Sequence, residues 1–179
     1  MISAVRLAAA PLAGWLVWEH RFGQALTIVF LAALSDWLDG WAARHVPGGP
    51  TKLGTVLDPM ADKALLVTLF VCGGPAGLIP VWLVCLVLGR DLVIVLGSLL
   101  IVWRRGPRPF LPLTVGKMST FFQVLSVLLV LLYGLGGPVL ASGAFRLCKD
   151  LALAETAFFT ALSGAAYVRR GIEIAQRKE

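Results

Sequence analysis

The chain is a succession of apolar blocks, and the length of those blocks most limits the folds open to it. Six runs, near residues 3–18, 24–43, 60–79, 80–103, 116–135 and 151–168, are dominated by Leu, Val, Ala, Ile and Phe. Crossing a hydrocarbon core of about 30 Å takes about 20 helical residues. Inside such a core each backbone N–H and C=O must be paired within the protein, and a helix does this within one segment. The expected fold is all-α: a polytopic membrane bundle of six transmembrane helices, forming one domain over residues 1–179. A soluble core is excluded by composition. Hydrophobic residues make up 58% of the chain, which leaves too little polar surface to cover it.

The first run is short and contains Pro11, so it is expected to be tilted, kinked or partly interfacial. Between the third and fourth runs lie only Gly73, Gly74, Pro75 and the stretch Gly77–Pro80, with no charge. That reads as a tight hairpin at the membrane surface. Basic residues orient the bundle. Arg44 and Lys52 follow span two, Arg104, Arg105 and Arg108 follow span four, and Arg169, Arg170, Arg177 and Lys178 follow span six. The opposite side holds Arg21, Arg146 and Lys149. The excess of Lys and Arg places both termini and the 2–3 and 4–5 loops in the cytoplasm. The net charge of +6 is thereby explained by topology and anionic lipid headgroups. No basic, aromatic-rich groove points to nucleic acid. Cys72, Cys85 and Cys148 are scattered, without metal-ligand spacing, and read as buried thiols. His20 and His45 stand singly at span ends, and the six tryptophans fall mostly near span ends, as in an aromatic belt.

Charges inside apolar runs need a reason, since an ionised Asp near the bilayer centre costs about 2.5–3.5 kcal/mol on insertion scales. Asp36, Asp39, Asp58, Asp62 and Asp91 all lie in or beside such runs. Asp36 and Asp39 are three residues apart, and Asp58 and Asp62 four apart, so on helices each pair shares a face. Two such pairs from adjacent antiparallel helices make a cluster of four carboxylates. Alone, the four would repel and raise one another's pKa values. A divalent cation removes the conflict, and an all-oxygen donor set suits Mg²⁺ or Mn²⁺. Gly40 follows Asp39 directly, where a helix interior disfavours glycine, so a ligand or a neighbouring helix is expected to come close there. Arg44, one turn on, is placed to face a phosphate at the membrane surface. The loop 45–53, rich in Gly and Pro, is short enough to force spans two and three into an antiparallel hairpin.

These residues resemble the signature of the CDP-alcohol phosphatidyltransferase family, D-x2-D-G-x2-A-R, a short gap, then G-x3-D-x3-D. All eight positions are filled, by Asp36, Asp39, Gly40, Ala43, Arg44, Gly54, Asp58 and Asp62. The gap holds nine residues, one more than is common in the family, and the addition falls in a Gly/Pro loop where insertions are tolerated. The resemblance implies that Asp36, Asp39, Asp58 and Asp62 ligate Mg²⁺ or Mn²⁺. It makes Asp62 the general base as well, and has Gly40, Ala43, Arg44 and Gly54 line the CDP site. It further implies CDP-diacylglycerol as donor, CMP as leaving group and a homodimer. The membrane expected is a bacterial inner membrane, with the active site on its cytoplasmic side.

The acceptor is read from Arg90 and Asp91 in span four and from Lys117 at the start of span five, with Arg90 and Lys117 as acceptor-binding candidates. Glycerol-3-phosphate enzymes of the family usually carry Arg-Glu here and a second Arg eight residues after the first; this chain has Asp91 and Ser98. Without that cation the acceptor phosphate loses a partner. The Arg90-Asp91 pattern and the C-terminal TALSGAAYVRRG are more similar to the branch that makes cardiolipin from phosphatidylglycerol, with glycerol-3-phosphate as the alternative acceptor.

Each feature has a plainer reading. Asp58 before Pro59 can be a helix N-cap. Arg90 and Asp91 can be a charged pair that only braces the bundle, and Lys117 can reach to the interface. Two other function classes are also open. An aspartate-rich membrane prenyltransferase would carry its two Asp motifs far apart, whereas both pairs here lie within 27 residues. An Asp-lined cation channel or transporter has no use for Gly40, Ala43, Arg44 and Gly54 at these spacings.

Overall fold

The computed structural model describes residues 2–45, 52–105 and 113–176; within these, the side chains of 2–6, 36–45, 52–62, 101, 102, 104, 105 and 174–176 lie outside the description. Six helices follow in order: α1 (Ile2–Trp18), α2 (Phe22–His45), α3 (Lys52–Gly73), α4 (Val81–Arg105), α5 (Thr114–Leu135) and α6 (Gly143–Gln176), with no strand among the described residues. The protein is an all-α, membrane-type bundle. Val81–Leu100, Thr114–Leu135 and Gly143–Glu173 are long and apolar enough to cross a membrane, and Leu7–Trp18, Phe22–Ser35 and Lys63–Gly73 are shorter apolar helices among the described residues.

Two helices outrun their apolar blocks. α3 begins at Lys52 rather than near 60, and α6 runs from Gly143 to Gln176 rather than 151–168. Hydropathy marks the part of a helix that meets lipid, while backbone pairing continues past it into polar flanks such as Arg146, Lys149 and Asp150. α3 also stops at Gly73, because 74–80 form the turn to α4. There Leu78 N–H and Ile79 N–H donate to the Gly73 carbonyl at 3.0 and 3.1 Å. Gly77 takes φ +72°, a left-handed conformation that glycine adopts without a Cβ penalty.

Despite Pro11, α1 is continuous and central, packing on both α2 and α3. Its inner face is built from Ala10, Ala13, Gly14 and Val17, all buried. Small residues at i, i+3, i+4 and i+7 let a neighbouring membrane helix come close. A Cβ on Gly14 would stand 2.5 Å from Thr68 Cγ2 and 2.9 Å from Cys72 Sγ of α3. Among the described residues α2 and α3 meet through α1; the loop on which their expected hairpin turns lies outside the described residues. α5 and α6 form the other close pair, α4 lies on α6, and α2 touches α5.

The bundle's outside is apolar, with Trp15, Leu92, Leu96, Trp103, Phe121 and Phe158 exposed. That is the surface a lipid solvent requires and water penalises. Cys85 and Cys148 are exposed and Cys72 is half-buried, so the expectation of buried thiols holds only in part.

Candidate functional site

The structure makes α2 helical through Asp36, Asp39, Gly40, Ala43 and Arg44, and α3 helical through Gly54, Asp58 and Asp62. The side chains of these eight residues lie outside the description. Even so, the backbone decides two points. Asp36 and Asp39, and Asp58 and Asp62, are each one helical turn apart, as shared ligation by a pair needs. Asp58 sits six residues inside α3, so the reading of Asp58 as the helix N-cap is overturned. The donor chemistry fits a hard divalent cation: four carboxylates with no sulfur or imidazole among them. Among the described side chains no group of three His, Cys, Asp or Glu residues gathers.

Below this acidic end lies a charged cluster that joins three helices. Lys63 of α3 donates from Nζ to Asp91 Oδ1 of α4 at 2.7 Å. Arg90 Nη1 donates to the same oxygen at 2.8 Å. The rest of the Arg90 guanidinium turns to α6, where Nε and Nη2 donate to Ser163 Oγ at 3.1 and 2.7 Å. Arg90 Cζ also lies 5.7 Å from the centre of the Tyr167 ring, within cation–π range. Side-chain exposure is 9% for Arg90, 12% for Asp91 and 37% for Lys63. Among the described residues, Asp91 Oδ2 is a buried oxygen with no hydrogen-bond partner.

Gly116 closes the cluster from α5. A Cβ there would stand 3.0 Å from Tyr167 Oη and 3.4 Å from Arg90 Nη2. The Tyr167 hydroxyl in turn accepts from the Leu113 backbone N–H at 3.3 Å. Of the two acceptor candidates, Arg90 is therefore held inside the bundle. Lys117, next to Gly116, is exposed at the start of α5. Ser98, eight residues after Arg90, donates to its own helix at Ile94 O, 2.7 Å away.

Sequence reasoning missed Lys63. The signal was its register: Lys63 stands ten residues before Gly73 and Asp91 ten after Val81, so both lie about 15 Å from the hairpin at 1.5 Å per residue. It also missed a polar seam between α5 and α6. Ser119, Gln123 and Ser126 face Thr156, Thr160 and Ser163, and all six are buried. Ser119 Oγ and Thr160 Oγ1 are 3.1 Å apart, Ser126 Oγ and Thr156 Oγ1 2.7 Å, and Ser126 also donates to Ala152 O. Both triplets repeat at i, i+4 and i+7, one buried stripe on each helix.

The sequence profile of the CDP-alcohol phosphatidyltransferase family matches residues 1–162. The chain belongs to that family. Members generally depend on a divalent metal. Similar curated proteins include the human cardiolipin synthase (CMP-forming), 31% identical over 98% of this chain and 62% of its own length. A putative cardiolipin synthase of Mycobacterium tuberculosis is 37% identical over 68% of this chain and 57% of its own. A CDP-diacylglycerol–glycerol-3-phosphate 3-phosphatidyltransferase of Aquifex aeolicus is 34% identical over 73% of this chain and 72% of its own. The chain thus spans about three fifths of the length of the cardiolipin-synthase relatives named here. An open cavity of about 330 Å³ lined by His20, Arg21, Phe22, Gly134 and others lies at the opposite end of the bundle from the family motif.

Proposed function

We propose that the chain transfers the phosphatidyl group of CDP-diacylglycerol to the free hydroxyl of phosphatidylglycerol, forming cardiolipin and releasing CMP. The observation that carries this reading is the eight-position motif, which falls wholly on two helices braced by the same neighbour, α1. In the proposed reaction the acceptor oxygen bonds to the lipid-side phosphorus of the diphosphate. The bond from that phosphorus to the bridging oxygen breaks, and CMP leaves with the oxygen. Asp62 takes the hydroxyl proton. Gly40, Ala43, Arg44 and Gly54 hold the CDP group, and positioning does much of the catalysis. Bound Mg²⁺ or Mn²⁺, held by Asp36, Asp39, Asp58 and Asp62, would supply charge neutralisation at the diphosphate.

The choice of acceptor is supported by Arg90. Its guanidinium is already engaged by Asp91 and Ser163, and Ser98 offers no second cation. An acceptor lacking a terminal phosphate suits that end better than glycerol-3-phosphate does. Arg90 and Lys117 remain the proposed contacts for the acceptor headgroup. A second reading, glycerol-3-phosphate as acceptor, is favoured by the Aquifex aeolicus relative, of which the chain covers the larger share. We further propose a homodimer in a bacterial inner membrane, with the site facing the cytoplasm.

The test is CMP release by purified protein with CDP-diacylglycerol and Mn²⁺ or Mg²⁺. Phosphatidylglycerol should support release, and EDTA should abolish it until metal is restored. Release with glycerol-3-phosphate alone would transfer the assignment to the second reading. No release with any alcohol would return an Asp-lined channel or transporter to consideration. Asp62→Asn should lose turnover while expressing normally, and full activity in that variant would remove Asp62 as the base.

A further inference from the structure

We propose that Asp91 holds the Lys63 ammonium away from the acidic end of α3, keeping the four motif carboxylates available to a divalent cation. The inference rests on the proposed metal reading of Asp36, Asp39, Asp58 and Asp62. Lys63 directly follows Asp62 on a continuous helix. A flexible lysine next in sequence to a proposed metal ligand is a natural competitor for the cation's place, because its ammonium is a compact charge on a long stem. The structure gives that ammonium another partner, Asp91 Oδ1 at 2.7 Å.

Asp91 is well built for the task. Arg90 fixes it from the same helix, and Arg90 is itself anchored on Ser163 and packed over Tyr167. The carboxylate therefore cannot follow Lys63 if the lysine swings. Among the described residues α3 and α4 pack little against each other at other points, and this pair is a polar tie between them. A half-buried ion pair such as this one is poor evidence of stabilisation and better evidence of a device that fixes position. Among the described residues Oδ2 has no partner, which points the same way, since a buried acceptor without a donor costs stability.

The test is a double-mutant cycle read by Mn²⁺ binding to the purified protein, followed by electron paramagnetic resonance. Asp91→Asn should weaken Mn²⁺ binding at least about tenfold, as the released lysine occupies the carboxylates. Lys63→Met alone should change it little, because that lysine is already held. The double variant should return close to wild-type affinity. Unchanged binding in Asp91→Asn overturns the proposal. So does an equal gain from Lys63→Met in both backgrounds, which would mean only long-range charge addition. A loss in Asp91→Asn that the second substitution does not restore overturns it too, and assigns Asp91 a structural role. Asp62→Asn is the control. If it binds Mn²⁺ like the wild type, the metal reading itself fails. If it binds weakly while Asp91→Asn binds normally, only the present inference fails.

Discussion

At the residue scale, the cluster around Arg90 depends on one position having no side chain. Gly116 is pressed between Tyr167 and Arg90, and an added Cβ would come within 3.0 Å of the Tyr167 oxygen and 3.2 Å of its ring. Tyr167 is on a long helix that also takes a hydrogen bond from Leu113, so it has little freedom to retreat. Gly116→Ala is expected to destabilise the protein by about 1–3 kcal/mol, as overpacking does, visible as a lowered thermal midpoint in detergent. The same substitution should weaken the use of acceptor more than that of CDP-diacylglycerol, since Lys117 is the next residue. An unchanged midpoint would mean that Tyr167 moves freely. Gly14 makes a second such contact, at 2.5 Å from Thr68 Cγ2. Gly14→Val should cost at least as much, because it pushes α1 off α3, the helix that carries Asp58 and Asp62.

At the element scale, the six helices were legible from apolar run length, and the acidic pairs from their spacing. What the runs did not reveal was where helices extend beyond lipid, as α3 and α6 do, or which helices touch. α1 looked marginal because it is short and holds Pro11, yet its small residues make it the brace between α2 and α3. The polar seam was overlooked for a related reason. Single Ser, Thr and Gln residues hardly lower the hydropathy of a run, and only a comparison of two stripes, 119/123/126 with 156/160/163, shows that they pair. Hydrogen bonds between membrane helices contribute about 0.6 kcal/mol each on average. A cycle of Ser119→Ala and Thr160→Ala should therefore show a coupling of about that size in unfolding from detergent. Zero coupling would mean that the 3.1 Å contact adds packing and no hydrogen-bond energy. The candidate site was legible only to the degree that chemistry follows local spacing. Lys63 belongs to it through a contact with a residue 28 positions away, a distance that local periodicity does not report.

At the scale of the whole molecule, the expected orientation rests on the distribution of charge. In the sequence nine basic residues follow spans two, four and six, and Arg21, Arg146 and Lys149 fall in the opposite connections. Lys149 there is also paired with Asp150 and lies 5.0 Å from the Tyr133 ring, which fixes it near the start of α6. Cys148, exposed beside it, is a native reporter of that side. In sealed vesicles of cytoplasmic-inside orientation, a bulky membrane-impermeant maleimide should label Cys148 from outside. In a variant lacking the three native cysteines, Arg169→Cys, exposed near the other end of α6, should be labelled only after the vesicles are opened. The reverse pattern would put the acidic ends of α2 and α3 outside the cell, away from nucleotide-activated lipid made in the cytoplasm. The positive flanks would then owe their place to something other than topology, and the proposed reaction would have no donor on the side where its carboxylates stand.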